Sequence, residues 1–211
     1  MERKEKHILT RAQEQKKQTE IQGSLNRTFQ GLSIRAVEGE DRTFELSFSS
    51  EEAYTRWWGV EILDHTPGCV DLERINSIGC LLYNHNRDKV LGKVLKAWND
   101  GTRCSAKVQF DDDAEADVIY KKVENKTLKG VSVGYMVGSW EEVAPNSKSA
   151  DGRFTGPCDI AKRWEPYEIS IVSVPADPTV GVGRNMEENH TDNRRMLDVY
   201  IRQLQINKNK Y

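Results

Sequence analysis

Between Val90 and Phe110 the chain alternates apolar and polar residues on either side of Asn99-Asp100-Gly101. A period of two belongs to a strand with one covered face, and an Asn-Asp-Gly break turns a chain tightly. The stretch predicts an antiparallel hairpin. Its first arm sets Val94, Lys96 and Trp98 on one face and Leu91, Lys93, Leu95 and Ala97 on the other. Its second arm, Thr102 to Phe110, puts Cys104, Ala106, Val108 and Phe110 on one side. A lone hairpin is marginal in water, so this one demands more strands or a helix against its apolar face.

Those partners are visible on both sides. Phe29 to Val37 alternates, and after Glu38-Gly39-Glu40-Asp41 the run Thr43 to Phe48 places Phe44, Leu46 and Phe48 on one face. Two such runs joined by a short Gly-containing link predict a second hairpin. Ser49 to Asp64 is mixed; its Trp57-Trp58 pair reads as core packing with one ring half exposed, more than as a substrate cleft. Thr66-Pro67-Gly68 turns the chain into a short helical piece from Val70 to Ile75, and Ile78 to Tyr83 is a nearly continuous apolar strand. Asp111-Asp112-Asp113 opens the best helix, where Ala116, Ile119, Tyr120 and Val123 make one stripe and Lys121 and Lys122 suit the far end. Strands follow over Val131 to Tyr135 and Ile160 to Val174, with a polar hairpin tip near Pro145 to Gly152 between them. The sum is an α+β fold, mostly antiparallel and barrel-like, over residues 27–185. Residues 1–26 read as a polar tail, and residues 186–211 as an amphipathic tail with Leu197, Tyr200, Ile201 and Leu204 in a stripe.

Composition narrows the function classes. In 211 residues, 31 Lys+Arg against 33 Asp+Glu leave a net charge of -2, which argues against an electrostatic nucleic-acid binder. No stretch has the apolar length of a secretion signal or membrane span, so a soluble chain with no membrane partner is expected. Cys69, Cys80, Cys104 and Cys158 are dispersed, without the close pairs of a zinc site or redox motif. Neither metal, cofactor nor disulfide is expected.

Three side chains at strand edges then carry the chemistry. His85 ends the apolar run Leu81-Leu82-Tyr83, where a rigid element holds it at a rim. Ser132 alternates with Val131, Val133 and Tyr135 and shares its face with Gly134, whose missing side chain leaves room for a substrate backbone. Glu168 opens the strand of Ile169, Ile171, Val172 and Val174. Read singly, each has an ordinary explanation: a loop histidine, a small residue on a packed face, an acid facing water. Read together they are the parts of a proton-relay nucleophile. On residue type alone His65, Asp100 and Asp159 compete with Glu168 for the third position, and Lys162-Arg163 is a candidate support for an oxyanion.

The segments Leu81-Leu82-Tyr83-Asn84-His85-Asn86, Val90-Leu91-Gly92, Leu128-Lys129-Gly130-Val131-Ser132-Val133-Gly134-Tyr135 and Glu168-Ile169-Ser170-Ile171-Val172-Ser173-Val174-Pro175-Ala176-Asp177-Pro178 stand in this order. Over roughly Phe29 to Arg184 the chain resembles the prohead (capsid maturation) protease family of tailed bacteriophages. The resemblance implies a serine endopeptidase with a herpesvirus-protease-like fold, a barrel-like sheet ringed by helices. It assigns the histidine to His85, the serine to Ser132 and the acid to Glu168. It further implies action on the major capsid protein precursor and its scaffolding segment, inside the assembling prohead in the host bacterial cytoplasm, from a phage or prophage gene. Self-cleavage and activation as a homodimer or higher oligomer fit that setting. The main rival is a noncatalytic scaffold or capsid-binding protein of the same fold. A small-ester hydrolase lacks support, because no Gly-x-Ser-x-Gly elbow is present.

Overall fold

The computed structural model describes residues 11–21, 23–29 and 34–174. Three helices and ten strands occur there: α1 (Arg11–Ile21), β1 (Ser24–Phe29), β2 (Ile34–Ala36), β3 (Thr43–Ser50), β4 (Tyr54–Arg56), β5 (Gly59–Leu63), α2 (Glu73–Ile78), β6 (Cys80–Tyr83), β7 (Asn86–Asn99), β8 (Arg103–Phe110), α3 (Ala114–Glu124), β9 (Gly130–Val143) and β10 (Cys158–Val172). The expected C-terminal stripe at Leu197, Tyr200, Ile201 and Leu204 lies outside the described residues, as do 30–33 of the first expected hairpin.

The strands form one sheet in the order β1-β9-β10-β6-β7-β8-β3-β2, with β4 and β5 attached beside β10. Most pairings are antiparallel, but β10 runs parallel to β5 along its first half and to β6 along its second. The sheet curls until β3 approaches β1 and β9, a half-barrel. Its concave side is filled by Phe44, Leu46, Phe48, Leu81, Ala106, Val108, Val131, Val133, Ile169 and Ile171. Burying each large apolar side chain contributes about 1.5–3 kcal/mol before conformational entropy is charged against it. The fold is thus α+β with a curled, mostly antiparallel sheet and few helices.

The hairpin of β7 and β8 forms about Asn99-Asp100-Gly101, with Asp100 Oδ1 accepting from the Thr102 and Arg103 N–H groups at 2.9 and 2.8 Å. Neither alternating face of β7 is buried whole. The register slips between Val94 and Lys96, so Leu91, Val94 and Ala97 are covered while Leu95 is exposed. The extra residue of a bulge flips which alternate set points inward. Helix α3 is capped by Asp113, which accepts from the N–H groups of Glu115 and Ala116, and buries Ala116, Ile119 and Val123. The short helix falls at Glu73–Ile78 rather than Val70 to Ile75, because Val70 is held in a bridge beside Trp164. Of the paired tryptophans, Trp58 is buried edge-on to Trp140 and Trp57 is half exposed.

The tail expected over residues 1–26 is helical at Arg11–Ile21, and Ser24 to Asn26 already belong to β1. β1 pairs antiparallel with β9 over its whole length, from Ser24 opposite Met136 to Phe29 opposite Val131. Among the described residues no helix is long and apolar enough to cross a membrane.

Candidate active site

The hairpin between β6 and β7 has a loop of just Asn84 and His85, both at positive φ (51° and 60°). Two-residue hairpins favour this sign pattern because it matches the twist of the strands, and asparagine tolerates it better than most residues. Histidine there is strained, and β10 holds it in place. Asn84 N–H donates to the Ile171 carbonyl at 2.9 Å, Ser173 N–H donates to Asn84 Oδ1 at 3.0 Å, and His85 N–H donates to Ser170 Oγ at 3.1 Å. A strained turn clamped by its surroundings is a common way of aiming a functional side chain.

The imidazole is aimed across the ends of β10 and β9. His85 Nε2 lies 2.6 Å from Ser132 Oγ, and His85 Nδ1 is hydrogen-bonded to Glu168 Oε1. Ser132 sits opposite Ser170, and Glu168 opposite Gly134, so all four share one face of the β9–β10 pair. Between Pro166 and Glu168 the register slips by one residue, a bulge that turns the Glu168 side chain toward His85. The second carboxylate oxygen, Oε2, accepts from Ser170 Oγ at 3.2 Å. The carboxylate, imidazole and hydroxyl therefore form a continuous chain, the arrangement in which a base takes a hydroxyl proton while an acid fixes the ring.

Gly134 serves this chain differently from the room for a substrate backbone read from the sequence. A Cβ built there would lie 2.7 Å from Glu168 Cγ and from the Tyr167 ring. The space is filled by the acid itself. Glu168 is 6% exposed, so it does not face water. His85 keeps 25% of its side chain accessible, whereas Ser132 has none. The cover over Ser132 is β1: Thr28 Oγ1 donates to Ser132 Oγ at 3.1 Å, and Ser132 Oγ donates to the Arg27 carbonyl at 3.0 Å.

The other sequence candidates lie elsewhere. His65 is fully buried, with Nε2 2.7 Å from Ser49 Oγ and Nδ1 2.9 Å from the Leu63 carbonyl. Burial pushes its pKa below the usual histidine value, against the raising effect of that carbonyl. Asp100 caps the β7–β8 turn, and Asp159 pairs with Lys17 at 3.0 Å. Lys162 is bound to Asp64 and lies six residues before Glu168 on β10, roughly 20 Å away at the rise of a strand. It supports no oxyanion beside Ser132.

Ser170, Thr28 and Arg27 are contacts that residue-type reasoning passed over. Ser170 had a signal: it stands two residues after Glu168 and so shares its face. Arg27 had none, being a lone arginine in a polar segment. It is 2% exposed, hydrogen-bonded to the Glu52 carbonyl, 3.7 Å from Glu61 Oε1, and set over the Tyr54 ring at 5.1 Å. Glu61 also binds Arg56 at 3.0 Å and accepts from the Tyr135 hydroxyl. Burial, reinforced by the Glu61 charge, raises the Tyr135 pKa far above that of a free phenol. No cluster of metal-ligating side chains occurs among the described residues.

Comparison with known sequences adds two findings. The family described as caudovirus prohead serine protease matches residues 60–194. A protein named "Major capsid protein" from Halomonas phage phiHAP-1 is 37% identical over 147 residues, covering 68% of this chain. The chain spans 23% of that relative's length. No solved structure matches the chain at a significant level.

Proposed function

The chain belongs to the caudovirus prohead serine protease family, and from that premise we propose that it is a serine endopeptidase cutting scaffolding segments of a phage capsid precursor during prohead maturation. The observation that carries this is the hydrogen-bonded run from Glu168 through His85 to Ser132. In the proposed reaction Ser132 Oγ attacks the scissile carbonyl carbon, and its proton passes to His85 Nε2. Glu168 accepts from Nδ1, holding the ring in the tautomer that leaves Nε2 free and stabilising the imidazolium that forms. The C–N bond breaks as His85 returns the proton to the leaving amine, leaving an acyl ester on Ser132. Water, deprotonated by His85, then attacks the ester carbonyl. The acyl C–Oγ bond breaks as His85 returns that proton to Ser132 Oγ, releasing the second product as its carboxylic acid.

The capsid-named relative supports a setting in capsid assembly. Its greater length supports a working form in which this unit travels with, or as part of, capsid polypeptide. We also assign the half-barrel to the herpesvirus assembly protease architecture, on the ground that a serine on β9 and a histidine after β6 meet across the intervening β10 of a curled sheet.

A second reading, a noncatalytic capsid-associated module, is favoured by the name of that relative and by the complete burial of Ser132. Co-expression with the capsid precursor separates the two. The endopeptidase reading expects a shortened precursor with wild type and an uncut one with Ser132→Ala. Identical processing by both would favour the noncatalytic module.

A further inference from the structure

We propose that Ser24–Phe29 is a resident strand that holds the place of an extended peptide substrate on β9, and that it must leave before Ser132 can act. The proposal rests on Ser132 being the nucleophile. β1 is the end strand of the sheet, so removing it uncovers the β9 edge and breaks no other pairing. Peptides are often recognised by adding a strand to such an edge. Here the added strand brings its Arg27 carbonyl within hydrogen-bond distance of the nucleophile.

That contact also disarms the serine. A hydroxyl has one proton to give, and two acceptors compete for it: His85 Nε2 at 2.6 Å and the Arg27 carbonyl at 3.0 Å. While the proton points at Arg27, it is not passing to His85. Thr28 Oγ1 adds a donor to the same oxygen, engaging one of its two lone pairs and drawing electron density from the nucleophile. β1 therefore both covers Ser132 and redirects its proton.

The strand is keyed by its arginine. The Arg27 side chain enters a pocket formed by Glu61, Tyr54 and the Glu52 carbonyl, and Arg56 donates to the Asn26 carbonyl at 3.1 Å. The competing ligand is accordingly an extended peptide with arginine or lysine at the residue whose carbonyl meets Ser132. The hold on β1 from its N-terminal side is partly electrostatic, made by a half-buried lysine on a buried aspartate and by lysines over two indole rings. α1 is exposed at Gln13 to Lys16, and its ties include Lys17 to Asp159 and the two lysines over the Trp57 and Trp58 rings. The exposed Lys16 contact weakens with salt, whereas the covered Lys17–Asp159 pair is screened less.

Ser24 lies opposite Met136, and both are exposed. Opposed residues on antiparallel strands stand about 4.5–5.5 Å apart at Cα, within reach of a disulfide. The full chain carrying Ser24→Cys with Met136→Cys is assayed oxidised and reduced, by the rate at which diisopropyl fluorophosphate modifies Ser132. The oxidised form should react at least about tenfold more slowly than the reduced form, which should match wild type. Arg27→Ala in the full chain should react about tenfold faster than wild type. A synthetic peptide of the Ser24–Phe29 sequence should protect that variant roughly tenfold better than the same peptide with alanine for arginine. Equal rates in the oxidised and reduced forms would overturn the proposal, and equal protection by the two peptides would overturn its basic key. Failure of Ser132 to react in every form, with capsid precursor left uncut, would instead overturn the nucleophile reading.

Discussion

Glu168 occupies the space that a side chain at Gly134 would need: a Cβ at Gly134 would lie 2.7 Å from both Cγ and Oε1 of the acid. The glycine thus sets how closely the carboxylate lies over β9, and through it the position of His85. Gly134→Ala is expected to push Glu168 off His85 Nδ1. Precursor cleavage should fall about 10- to 100-fold and stability by about 1–3 kcal/mol, the usual cost of overpacking. Cleavage rates and thermal melting of the same samples check both parts.

Ser170 accepts from His85 N–H and donates to Glu168 Oε2, tying the strained turn to the acid. It touches no reacting atom, so it is a positioning residue. Ser170→Ala should lower kcat roughly tenfold with little change in KM, since only the aim of the base is disturbed. A fall confined to KM, measured on a soluble peptide substrate, would contradict this role.

His65 gives the fold a pH dependence of its own. Burial holds its folded-state pKa below the ordinary 6.5. Below that pH the unfolded chain takes up a proton that the folded chain refuses, so stability is complete above about pH 6.5 and falls as the pH drops beneath it. His65→Gln should flatten the decline in melting temperature between about pH 6.5 and 5. Melting curves across that window, for wild type and variant, give the comparison.

Asp113 caps α3, whose first turn meets β7 through the Glu115–Lys89 ion pair at 3.1 Å, with Oδ1 2.9 Å from Glu115 N and 3.1 Å from Ala116 N. Asp113→Ala should cost about 1 kcal/mol of stability, as loss of an N-cap usually does, and leave Ser132 reactivity unchanged. Denaturant midpoints and labelling rates measure the two effects separately.

The residues differ in how far they can be read without coordinates. Asn99-Asp100-Gly101 and the alternation after it announce the β7–β8 hairpin, because turn chemistry and period are local. Which residues of β7 are buried is not local. It depends on the slip between Val94 and Lys96, set by pairing with β8. His85, Ser132 and Glu168 are identifiable as candidates by type and strand-edge position, but their contact needs the hairpin β9–β10 and the parallel pairing of β6 with β10. Ser24-Leu25-Asn26 reads as the end of a polar tail, since Leu25 is its lone apolar residue. It becomes a strand because the free edge of β9 and the Glu61 carboxylate are there to receive it.

The most direct test of the proposed triad is the site and rate of fluorophosphonate modification of the full chain while it is cutting capsid precursor. Tandem mass spectrometry should find the adduct on Ser132, with the rate in His85→Ala lower by at least about 100-fold. Precursor cleavage without any adduct on Ser132, or modification of Ser132 undiminished in His85→Ala, would contradict the account.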